Sequence, residues 1–162
     1  IADSIVYISD DKNDPGLGEA AQSELINEIR TNMVNYGYVE VDVNVDTPDV
    51  ALFAQILKTE ETGWSWWNYW GWWGGGWWGG NPWYPCYPPY CGGGFYPYSY
   101  DDGTLAVEMI DVNSYNPADS SVNILWFNIS NGVLSSKSTT NIQLAKDAID
   151  RAFGLSPYLD VN

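Results

Sequence analysis

The sequence predicts a single α+β domain over residues 1–162: a mainly antiparallel sheet of about five strands, two helices packed on one face, and one long insertion over 63–100. Three observations carry that expectation. Short apolar or β-branched runs arrive in adjacent pairs, which favours antiparallel pairing. Two stretches carry apolar residues at helical spacing. Several strands alternate apolar with polar residues, the pattern of a sheet with one wet face. A chain of 162 residues with a 45% apolar fraction is also the right size for one core.

The elements follow in order. "DSIVYIS" (Asp3 to Ser9) reads as a short buried strand, and "DDKNDPGLG" breaks it with Asp, Pro and Gly. From Glu19 to Tyr36 the pattern is helical: Ala21, Leu25, Ile29 and Met33 recur every four residues, and Ile26 widens the stripe. Gly37 follows the last turn, where a left-handed cap is expected. "YVEVDVNVD" reads as the cleanest strand, with Val39, Val41, Val43 and Val45 on one face and Glu40, Asp42, Asn44 and Asp46 on the other. After the turn "TPD", "VALFAQILKTEE" is a long strand leading into the insertion. Beyond the insertion, Leu105, Val107 and Met109 alternate with Thr104, Ala106 and Glu108, which puts Glu108 on a polar face. "SVNILWFNIS" is apolar on both faces near its middle, so it is expected to be central, with Trp126 a core ring. The last element is a helix. Thr140 and Gln143 fit a capping box, Ile142, Ala145, Ile149 and Phe153 form the apolar stripe, and Gly154 ends it. "LSPYL" is an apolar tail expected to dock on the body.

Charge and composition exclude several function classes. A formal charge of −15, with only Lys12, Arg30, Lys58, Lys137, Lys146 and Arg151 positive, opposes nucleic-acid binding, which needs clustered cations. Adhesion to an anionic lipid surface is disfavoured for the same reason. No histidine exists, which removes Ser–His and Cys–His nucleophilic sites and the common zinc hydrolase sets. Carboxylate pairs among Glu60, Glu61, Asp101, Asp102, Glu108 and Asp111 are conceivable, but "DDG" is turn chemistry. "DDKNDPG" and "DVNVDTPD" bunch oxygen ligands without the glycine and ligand order of a calcium loop. The expectation is a protein with no catalytic residues, no metal and no cofactor. No stretch suits a spanning helix, and the start at Ile1 points to a targeting segment removed upstream.

The insertion holds nine of the ten tryptophans, and no charged residue falls between Gly63 and Gly94. One indole buries on the order of 200 Å². Nine of them in water would expose over roughly 1,000 Å², beyond the roughly 300–600 Å² of a typical largest patch. Something must cover them. Some rings are expected to stack on one another and on the outer face of the sheet, with Gly74 to Gly76, Gly79 and Gly80 letting backbone approach ring faces. The rest point to an external partner, and Trp66, Trp67, Trp70, Trp72, Trp73, Trp77 and Trp78 are the candidate contact rings. Their partner is an envelope protein met at an aromatic hot spot, a glycan stacked on indole faces, or a lipid headgroup layer. Cys86 and Cys91 in "PCYPPYC" form either a disulfide, worth about 2 kcal/mol for so small a loop, or two thiols in a turn. The bonded form would favour an oxidising compartment.

"NYGY", "PDVALFAQI", "GTLAVEMIDV", "ILWFNISNGVL" and "IDRAFGLSPYL" together resemble bacterial envelope lipoproteins carrying a domain of unknown function, over Ile5 to Leu159. The resemblance implies a signal peptide and an acylated cysteine upstream, with attachment at the outer membrane or facing the periplasm of a Gram-negative cell. It implies no functional residue. The combined expectation is a non-enzymatic envelope lipoprotein that scaffolds or binds through its aromatic insertion, with a carbohydrate-binding module as the alternative.

Overall fold

The computed structural model describes residues 1, 5–9, 13, 14, 16–58, 103–116, 121–133 and 138–162. Among them the chain runs β1 (Val6–Ser9), α1 (Glu19–Asn35), β2 (Val50–Lys58), β3 (Thr104–Asn116), β4 (Ser121–Ser130), α2 (Ser138–Gly154) and a 3-10 turn, Pro157–Leu159. The sheet order is β1-β2-β3-β4. β2, β3 and β4 are antiparallel, and β1 adds a short parallel edge to β2. The α+β class and the two helices agree with the sequence. The strand number does not: the described residues form four strands, three of them antiparallel.

The expected strand over 38–46 is a loop with tight turns. α1 ends in a Schellman cap, with Gly37 at φ 88°, its N–H donating to Val34 O and that of Tyr38 to Met33 O. Arg30 then grips Glu40 with two hydrogen bonds, Nε to Oε2 at 2.7 Å and Nη2 to Oε1 at 3.1 Å. Asp42 turns the chain again, its Oδ1 accepting from the N–H and the amide of Asn44. Val39 and Val45 are left 84% and 75% exposed. Alternation alone did not decide between a strand and a loop bound to a helix.

Both helices cover one face of the sheet. Leu25, Ile29 and Met33 of α1 and Ala145, Ile149 and Phe153 of α2 join Leu52, Ala54, Ile56, Leu105, Val107 and Met109 in the main core. Trp126 is buried there, as expected. Its ring lies 4.9 Å from Phe153, and its Nε1 donates to Ser156 Oγ at 3.0 Å. Glu28–Lys146 and Asn32–Asp150 contacts tie the helices together. The tail docks through Leu159 and through Val161 N–H to Tyr36 O, while Leu155 and Tyr158 stay exposed.

Two further expectations change. β4 lies at the edge of the described sheet, not at its centre. A bulge between Met109 and Ile110, whose partners are Trp126 and Ile124, leaves Leu125 as the extra residue. Apolar residues on both faces of this strand therefore reflect a change of facing, and Ile124 and Leu125 are exposed. α2 begins at Ser138, so Thr140 lies inside its first turn and is not the N-cap; Gln143 donates forward to Asp147 Oδ1.

Candidate functional site

The insertion leaves and re-enters the fold at one point. Leu57 pairs with Thr104, so β2 and β3 are the two arms of a hairpin whose connection is residues 59–102. That mouth is braced on both sides. Ser9 pairs with Lys58, and Lys58 Nζ meets Asp14 Oδ2 at 2.7 Å. The hydrogen bond from Lys58, helped by the N–H of Gly16, holds the Asp14 carboxyl down at about 2. On the other arm Gly103 takes a φ of 84°, and Thr104 Oγ1 donates to Asn131 Oδ1 at 3.0 Å.

The sheet face opposite the helices carries an unexpected polar pair. Phe53 lies opposite Glu108, Gln55 opposite Ala106 and Ala51 opposite Ile110, all on that face. Glu108 is 3% exposed and Gln55 5%, so this face is not wet. Glu108 Oε2 and Gln55 Oε1 are buried and have no hydrogen-bond partner among the described residues. Burial pushes the Glu108 carboxyl up to about 7. The polar facing read from the sequence is therefore corrected. A signal was present: Ala106 and Ile110 flank Glu108 on its own face, and Phe53 and Phe127 flank it across the strands.

The remaining sequence candidates separate cleanly. Trp66, Trp67, Trp70, Trp72, Trp73, Trp77 and Trp78, the cysteines Cys86 and Cys91, and the carboxylates Glu60, Glu61, Asp101 and Asp102 lie outside the described residues. Asp111 lies within β3, paired with Val50 and Asn123, and its Oδ1 accepts from Asn113 N–H. Asp14, from "DDKNDPG", serves the Lys58 brace, and Asp42, from "DVNVDTPD", serves its own turn. Among the described residues no group of three or more acidic side chains is arranged to hold a metal ion, and no helix is long and apolar enough to cross a membrane.

These features define a class: an α+β domain with a sheet backed on one face by two helices and an aromatic connection at one hairpin. The chain belongs to the family described as Domain of unknown function (DUF4136), whose model matches residues 5–158. It is also similar to a crystal structure of a DUF4136 family protein from Bacteroides thetaiotaomicron, with a TM-score of 0.65 and 23% identity, covering 98% of this chain and 85% of that one. That likeness concerns the fold. Among curated proteins none matches.

Proposed function

We propose that this protein is a non-enzymatic component of the bacterial cell envelope, a scaffold or binding protein that touches its partner through aromatic side chains of residues 63–100. The observation carrying this reading is the setting of that segment. It is a tryptophan-dense stretch, without charge from Gly63 to Gly94, connecting two strands that pair residue for residue. A hairpin with its own register and a braced mouth keeps its geometry whatever the connection does, which frees the connection for contact. Tryptophan and tyrosine concentrate binding energy where they are desolvated by a partner. The envelope location, with attachment through an upstream lipid anchor, rests on the resemblance to envelope lipoproteins. The partner is another envelope protein. Carbohydrate binding is the second reading, favoured by the density of indole faces without neighbouring charge.

Cross-linking in intact envelopes tests the first reading. One dominant partner is expected, and it should vanish when residues 64–83 are removed. Affinity electrophoresis through soluble glycans tests the second: retardation abolished by Trp→Ala changes at positions 66, 67 and 70 would replace the protein partner with a sugar. A protein that captures no partner and is not retarded by any glycan of a broad panel would overturn the contact reading.

A further inference from the structure

Asn131 is the one asparagine of the chain that a glycine follows. The pair stands just past the end of β4, in a turn over residues 131–133, and both residues are exposed. Leu105 with Ser130 is the last strand pair at this end of β3 and β4, and a side-chain bond carries the contact one residue further. Thr104 Oγ1 donates to Asn131 Oδ1 at 3.0 Å. Thr104 is fully buried, so its hydroxyl is held by the sheet and not by the turn. Gly132 has a φ of 70°, and a Cβ added to it would meet nothing within 4 Å. An asparagine side chain carries an electrophilic carbonyl carbon and a nitrogen that can leave as ammonia, which makes it thermolabile. A glycine after it puts no side chain in the way of its own backbone nitrogen.

We propose that Asn131 is a self-modification site, with the Gly132 nitrogen as nucleophile and the Thr104 hydroxyl as the donor that stabilises charge developing on Asn131 Oδ1. The Gly132 N–H gives its proton to hydroxide, and the nitrogen bonds to Asn131 Cγ. Electron density moves onto Oδ1, the atom that Thr104 already touches, and a fixed donor aimed at a developing oxyanion lowers its energy. The intermediate collapses as the Cγ–Nδ2 bond breaks, and Nδ2 takes a proton from water and leaves as ammonia. One water then opens the cyclic imide. Cleavage at the former backbone carbonyl leaves isoaspartate, with an extra methylene in the main chain, and cleavage at Cγ leaves aspartate. Either product adds a negative charge to a chain already at −15, and nothing is oxidised or reduced. Asn113 is the comparison within the same sheet: Ser114 follows it, and its Nδ2 is bound to Asp49 Oδ1 at 3.1 Å. A carboxylate there opposes a developing oxyanion, where Thr104 favours one. The inference does not depend on what the aromatic segment touches, and it stands or falls separately from the proposed function.

The test incubates the full chain in mildly alkaline buffer and follows it by intact mass and by peptide mapping with isoaspartyl methylation. Conversion is expected at Asn131 ahead of Asn113, with release of ammonia and at a rate that rises with pH. Thr104→Val should slow it by about tenfold, less than the roughly hundredfold or more lost with a donor in a water-excluded site, because this turn is exposed. Thr104→Ser should restore the rate, and Gly132→Ala should remove most of the conversion. In concentrated urea, where the hydrogen bond is absent, Thr104→Val and the unaltered chain should convert alike. Conversion at Asn131 no faster than at Asn113 overturns the site. A rate unchanged or raised in Thr104→Val, with far-UV circular dichroism retained, overturns the role of the hydroxyl, as does a difference between the two chains that persists in urea.

Discussion

Glu108 and the Trp126–Phe153 pair are the side chains on which the fold should respond most sharply. The Glu108 carboxyl sits at about 7 against an ordinary 4.5 because burial disfavours its charged form. Its folded value lies above its unfolded value, so folding favours the protonated acid. The contribution is intact below pH 4.5 and is lost as pH rises through about 7, with a full loss of about 3 kcal/mol. Denaturant midpoints measured between these two values should therefore fall with rising pH. Glu108→Gln, which cannot ionise, should flatten that part of the profile; an unchanged slope would show that another group titrates. Phe153 is fully buried, and Phe153→Ala should cost about 3–5 kcal/mol through lost contact and a cavity. Trp126→Phe should cost less, about 1–2 kcal/mol, because it chiefly strands the buried Ser156 hydroxyl. The same midpoints read both.

At the scale of elements, the loop over 38–49 makes a prediction that a strand would not. Val39→Ser and Val45→Ser should each shift stability by less than about 0.5 kcal/mol, because both side chains already face solvent. Gly37→Ala should cost about 1 kcal/mol or more, since its φ is 88° and an added Cβ would come within 2.8 Å of Asn162 Oδ1. Thermal melts of the three variants separate the cases. How much was legible in the sequence follows the same physics. Both helices were readable because Leu25, Ile29 and Met33, and Ala145, Ile149 and Phe153, each form a stripe that only a helix can bury. β2, β3 and β4 were readable as apolar runs, but their order and facing were not. The bulge near Ile110 reverses facing in a way no periodicity reveals, and a single carboxylate between Ala106 and Ile110 looked wet because alternation along one strand does not show how deeply a face is buried. The misread strand had perfect alternation, yet Arg30 and Asp42 offered its backbone and side chains better partners than a sheet edge did. Of the candidate site, the aromatic segment was plain from composition, the braced mouth at Lys58 and Thr104 was not, and the contact rings lie outside the described residues.

For the molecule as a whole, the proposed function gives the helix-backed core and the aromatic segment separate duties. The main core draws on β2, β3, β4 and both helices. The hairpin register continues to the last pair before the insertion, Leu57 with Thr104. The flanking portions should therefore fold without residues 63–100. The direct measurement is calorimetry on a chain in which 63–100 is replaced by a short Asn-Gly turn, a connection suited to an antiparallel pair. The account predicts one cooperative transition at a lowered midpoint, with α+β circular dichroism retained. A chain that melts without a transition, or shows no regular secondary structure, would mean that the tryptophans belong to the core, and would contradict the division between frame and contact segment.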